Sequence, residues 1–180
     1  MELRPYQQEA REAVEQEWEQ GHDKTLLVLP TGCGKTIVFA KITEDRVRAG
    51  DRVLILAHRG ELLEQAADKI GKATGLVCAT EKAEESCLGS WYRVTVGSVQ
   101  TLMRPQRLQR FDPHYFDTII IDEAHHAVSD SYQALKMGRR HVGVELKRSY
   151  YTLAVENCRA AECERAENTE GSLFDLLGEG

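Results

Sequence analysis

Apolar residues recur at helical spacing from Leu3 to Gln20 (Leu3, Tyr6, Ala10, Ala13, Val14, Trp18), which predicts an amphipathic helix ended by Gly21. Thr25–Leu29, TLLVL, is a short continuous apolar run, the pattern of a strand buried on both faces. PTGCGKT follows and opens a helix to about Ala49, closed by a Gly50-Asp51 turn. Arg52–His58, RVLILAH, predicts a second buried strand, and Glu61 to Lys72 a helix whose Leu62, Leu63 and Ala66 face the core. LVCAT suggests a third strand, Glu81 to Ser90 a polar loop, and Tyr92–Ser98 another strand. VQTLMRP reads as a short helix closed by Pro105, and Thr118–Asp122 as a further strand. Ser131 to Met137 predicts a helix, HVGVEL a strand, Ser149 to about Ala166 a helix, and Gly171 to Gly180 a loose tail. Strands alternating with helices indicate an α/β fold with a parallel sheet flanked by helices.

Composition narrows the classes. The 180 residues suffice for one domain with a full core. A net charge of -6 excludes a strongly basic, histone-like nucleic-acid binder but not a local basic groove. No apolar run approaches the roughly 18 residues of a membrane span, so no membrane association is expected. The polar, acidic N-terminus is unlike a signal peptide. Cys33, Cys78, Cys87, Cys158 and Cys163 are scattered without a CxxC pair, which fits reduced thiols in the cytoplasm better than disulfides or a structural zinc.

Two stretches carry chemistry. LPTGCGKT, Leu29 to Thr36, lies between a buried strand and a helix, the setting of a phosphate-binding loop. Around Pro30 and Thr31 the chain turns; Gly32 and Gly34 let the backbone through Cys33 curl so that its N–H groups face phosphates. Lys35 adds charge for the β and γ phosphates of ATP, Thr36 a hydroxyl for Mg²⁺, and the helix N-terminus its dipole. The general pattern has Gly where this chain has Leu29. The second stretch, IIIDEAHH (Ile119–His126), ends a buried strand in two carboxylates. Asp122 can hold Mg²⁺ through its waters, and Glu123 can take a proton from an attacking water. His125 is a candidate relay between nucleotide and nucleic acid. His126 reads equally as a polar loop residue.

These motifs resemble motifs I and II of the superfamily 2 DEAD/DEAH-box helicases. ILAHRGELLEQ (Ile55–Gln65) and VTVGSVQTL (Val94–Leu102) look like motifs Ia and Ib of the branch that includes type III restriction subunits, and LRPYQQEA (Leu3–Ala10) like the adenine-reading element that opens such domains. The resemblance runs from about residue 2 to 130. It implies a first RecA-like domain over 1–130, with Gln7 reading the adenine edge and Arg4 or Tyr6 near the base. It implies that His58, Arg59, Ser98, Gln100 and Thr101 lie near the phosphates of one nucleic-acid strand. Ser98 as a helix cap is the alternative. The expected activity is ATP hydrolysis coupled to DNA, single strand or duplex.

A helicase of this kind also needs a second RecA-like domain, and the resemblance implies a Ser/Thr-Ala-Thr motif III after DEAH. HVGVEL stands where the motif III strand belongs but ends in Glu145-Leu146-Lys147. The stretch Ala134–Cys158 instead resembles a portion of the DNA amino-methyltransferases, with Glu145 in place of the acid that holds the ribose of S-adenosylmethionine. The glycine-rich loop and the D/N-P-P-Y/F motif of those enzymes are missing, so methyltransferase activity is not expected. Residues 131–166 then form a strand-helix tail, and 167–180 a flexible end. The tail strand either joins the helicase sheet or docks poorly and leaves apolar surface exposed. The expectation is a DNA-dependent ATPase/helicase fragment, weak or inactive without a second RecA-like domain in trans. The alternative is a non-catalytic nucleotide-binding or interaction module from a helicase-methyltransferase fusion.

Overall fold

The computed structural model describes residues 2–22, 24–30, 32–57, 63–82, 85–102, 104–112, 114–122 and 140–145. Their elements alternate as the apolar pattern predicts: α1 (Pro5–Glu19), β1 (Lys24–Val28), α2 (Lys35–Arg48), β2 (Val53–Ala57), α3 (Leu63–Thr74), β3 (Cys78–Glu81), β4 (Val94–Ser98), α4 (Val99–Leu102), α5 (Pro105–Leu108), β5 (Thr118–Asp122) and β6 (Arg140–Glu145). Among the described residues, the strands make one all-parallel sheet in the order β1-β6-β5-β2-β4-β3. The architecture is α/β, a parallel sheet flanked by helices. The HVGVEL strand is therefore hydrogen-bonded on both sides, to β1 and to β5.

Strand side chains alternate between two cores. Val53, Ile55 and Ala57 of β2, with Val94, Val96 and Ile120, meet Val14 of α1, Val38 and Ile42 of α2, and Leu63 and Ile70 of α3. Leu54 and Leu56, with Ile119 and Ile121, face the other way, onto Val99, Leu102, Phe111 and Phe116. Full burial of each such aliphatic contributes about 1.5–3 kcal/mol. Leu63 and Ala66 pack as the helix pattern implies; Leu62 lies outside the described residues. Gly97 sets the spacing on the second face. A Cβ there would sit 2.9 Å from Leu102 Cδ1 and 3.3 Å from Leu54 Cδ1, so a larger residue would make these leucine side chains shift.

Two expectations are corrected. Pro105 does not close the short helix; it opens α5 as its first residue, where its missing N–H is no loss. Glu81 is not part of a solvated loop; it ends β3 and is fully buried. Its carboxylate pairs with the Arg107 guanidinium and accepts a hydrogen bond from the Cys87 N–H at 2.7 Å. Arg107 also donates to the carbonyls of Lys82 and Glu85. One ion pair thus fastens α5 and the segment after β3 to the sheet edge. The helices expected over 131–137 and 149–166, and the tail from 167, lie outside the described residues.

Removing one partner of a buried ion pair leaves the other charge uncompensated. Arg107→Ala should cost about 3–5 kcal/mol in urea unfolding. A cost within experimental error would show that Glu81 finds other compensation.

Candidate nucleotide site

The phosphate loop grows out of β1, and its curl comes from glycine. Gly32 has φ 82° and Gly34 has φ 73°, the left-handed region that other residues enter at a cost. Gly34 caps α2, and its carbonyl accepts from Ile37 N–H at 2.9 Å. Lys35 and Thr36 are therefore the first two helical residues, where N–H groups lack intrahelical partners and the dipole favours an anion. Pro30 is exposed and Cys33 half-buried; Thr31 lies outside the described residues. Leu29, which departs from the general loop pattern, is a buried core residue.

Gly34 cannot be replaced for a second reason. A Cβ there would lie 2.7 Å from Gln7 Nε2. Gln7 is buried and both ends of its amide are engaged. Oε1 accepts from the Arg4 N–H at 3.0 Å, and Nε2 donates to the Cys33 carbonyl at 2.8 Å. The Tyr6 hydroxyl donates to the same carbonyl at 3.1 Å. The Gln7 N–H returns a bond to the Arg4 carbonyl, which fixes the first turn of α1. The element expected to read adenine thus grips the phosphate loop, with Arg4 exposed beside it. Sequence reasoning missed this grip, because no spacing rule relates Tyr6 and Gln7 to Cys33.

Across the sheet edge, Lys35 Nζ lies 3.7 Å from Asp122 Oδ1. Asp122 closes β5, separated from the loop strand only by β6. Register puts Val28 opposite Glu145 and Asp122 opposite Val144, so all three strands end at one level. This is the carboxyl edge at which open parallel sheets bind ligands. One carboxylate and one hydroxyl, both hard oxygen donors, fit Mg²⁺ shared with phosphate oxygens and water. Among the described residues no three His, Cys, Asp or Glu side chains form a cluster able to hold a metal by themselves.

The remaining candidates divide. Glu123, His125, His126, His58 and Arg59 lie outside the described residues. Ser98 ends β4 and Thr101 sits in α4 at the same carboxyl edge; both are buried, while Gln100 is exposed.

The family described as type III restriction enzyme, res subunit, matches residues 1–146. The chain belongs to that family. The match runs through β6, past residue 130. Among curated relatives of this res-subunit chain, the putative ATP-dependent helicase IRC3 of Saccharomyces cerevisiae is 38% identical over 141 residues, covering 74% of the chain and 20% of that protein. The putative mitochondrial ATP-dependent helicase irc3 of Schizosaccharomyces pombe is 32% identical over 152 residues, covering 83% of the chain and 24% of that protein. The chain therefore spans about a fifth to a quarter of the length of these relatives. The UvsW helicase from bacteriophage T4 superposes with a TM-score of 0.65 at 18% identity, covering 88% of this chain and 58% of that one. The type ISP restriction-modification enzyme LlaGI, solved with a DNA substrate mimic, gives a TM-score of 0.61 at 20% identity, covering 82% and 18%. The likeness to the solved structures shows the fold, a RecA-like parallel sheet flanked by helices. No helix among the described residues is long and apolar enough to cross a membrane.

Two outcomes follow. Gly34→Ala should lose measurable ATP binding, because the new methyl meets Gln7 and strains φ; equilibrium titration with a fluorescent ATP analogue checks it. Burial pushes the Cys78 and Cys87 thiols up to about 11. At pH 8 iodoacetamide should therefore modify Cys33 before either of them. Peptide mapping that finds Cys87 modified first would contradict the burial.

Proposed function

We propose that this chain is the nucleotide-binding half of an ATP-driven motor that acts on DNA. The observation that carries the reading is the 3.7 Å approach of Lys35 and Asp122 across one strand. It joins a phosphate cradle to a metal-binding carboxylate at one sheet edge. Pro30, Thr31, Gly32, Cys33 and Gly34 wrap the phosphates, Lys35 neutralises them, and Thr36 and Asp122 hold Mg²⁺. Mg²⁺ supplies charge neutralisation of the phosphoryl oxygens when bound. Glu123, next after Asp122, takes the proton of the attacking water. Gln7 and Arg4 recognise adenine. His125 links this site to nucleic acid, whose backbone meets His58, Arg59, Ser98, Gln100 and Thr101. DNA is favoured over RNA by likeness in fold to LlaGI, which was solved with a DNA substrate mimic.

By itself the 180-residue chain should turn over slowly. A motor of this kind completes its site with an arginine finger from a second RecA-like domain, and loss of such a finger costs about 10³–10⁵ in rate. The free thiols of Cys33, Cys78 and Cys87 fit a reducing compartment such as the cytoplasm. The likeness of residues 134–158 to amino-methyltransferases is carried by their sequence alone and adds no activity.

The test is ATP hydrolysis with and without single- and double-stranded DNA. DNA should raise the rate, and Lys35→Ala should lower it on the order of 10²–10³-fold, the effect of removing a donor from developing charge. A chain that binds no nucleotide sinks the reading.

A further inference from the structure

Tyr6 and Gln7 converge on one acceptor. Both side chains leave the first turn of α1, and both donate to the carbonyl oxygen of Cys33, at 3.1 and 2.8 Å. That carbonyl belongs to the peptide joining Cys33 to Gly34, and none of the described peptides is cis. In a trans peptide the C=O and the next N–H point in opposite directions. Drawing the Cys33 oxygen toward α1 therefore turns the Gly34 N–H away from α1. It then aims with the free first-turn N–H groups of α2.

We propose that Tyr6 is a positioning residue of the phosphate loop, whose hydroxyl fixes the Cys33–Gly34 peptide so that the Gly34 N–H faces the nucleotide phosphates. The inference rests on the reading of this loop as the ATP site and adds a division of labour within α1. Gln7 is tied at both ends, to Arg4 N–H through Oε1 and to Cys33 through Nε2. An amide that turns to a base edge loosens one of these bonds, since its donors and acceptors are few. Among the described residues the Tyr6 phenol has one hydrogen-bond partner, and its hydroxyl reaches the loop directly. Tyr6 is 36% exposed. Tyr6 thus acts on the phosphates whatever the base, and Gln7 answers to the base.

The experiment compares the full chain with Tyr6→Phe, which keeps the ring and removes only the donor. Dissociation constants are measured for ATP and GTP. Amide hydrogen exchange of residues 32–35 is followed without nucleotide. Loss of one hydrogen bond should weaken both nucleotides about 3–10-fold, leave their ratio unchanged, and speed exchange in the loop. The melting temperature should stay near that of the wild type, because the hydroxyl lies at the surface. Unchanged affinities in a wild-type chain that binds ATP would overturn the positioning role alone, as would a shifted ATP to GTP ratio. A wild-type chain that binds neither nucleotide would overturn the parent reading and this one with it. Loop exchange, read without nucleotide, would still tell whether the tether exists.

Discussion

The site depends on the hydrogen bonding of β6 along both its edges. Adjacent strands lie about 4.8 Å apart, so one intervening strand holds β1 and β5 about 9–10 Å apart. That gap is what Lys35 spans to reach Asp122. β6, which lies inside the stretch matched by the res-subunit family, is thus the spacer between the loop strand and the Asp122 strand.

Much of the fold was legible because its elements are strongly patterned. TLLVL, RVLILAH and TIIID are apolar runs of strand length set between helical periods, and all appear in the sheet within a residue or two of their expected ends. The curl of the candidate phosphate loop was legible for a different reason: glycines at that spacing between a strand and a helix predict it, and Gly32 and Gly34 have the positive φ angles it needs. The order of strands was not legible in detail. HVGVEL matched two patterns at once, and only its pairing with β1 and β5 gives it a place.

Other features escaped because they join residues far apart in sequence. Glu81 reads as one more acid in a polar stretch until Arg107 is brought beside it. Pro105 reads as a stop, yet the same missing N–H suits a first helical turn. In both cases local chemistry allowed several roles, and tertiary contact selected one. The bond from the Gln7 amide to the Cys33 carbonyl escaped as well, since no local pattern relates the two residues.

The placement of β6 bears also on how the chain is made. During synthesis β1 and the loop emerge before β2, β4 and β5, which can pair as they follow. The partner of β1 comes last, well over half the chain later, since Lys24 waits for His141. Contacts of such separation form slowly and leave an apolar edge unpaired meanwhile. The loop that follows β1 is therefore made well before its strand finds its final neighbour. Nucleotide capture in a nascent chain would report the arrival of β6.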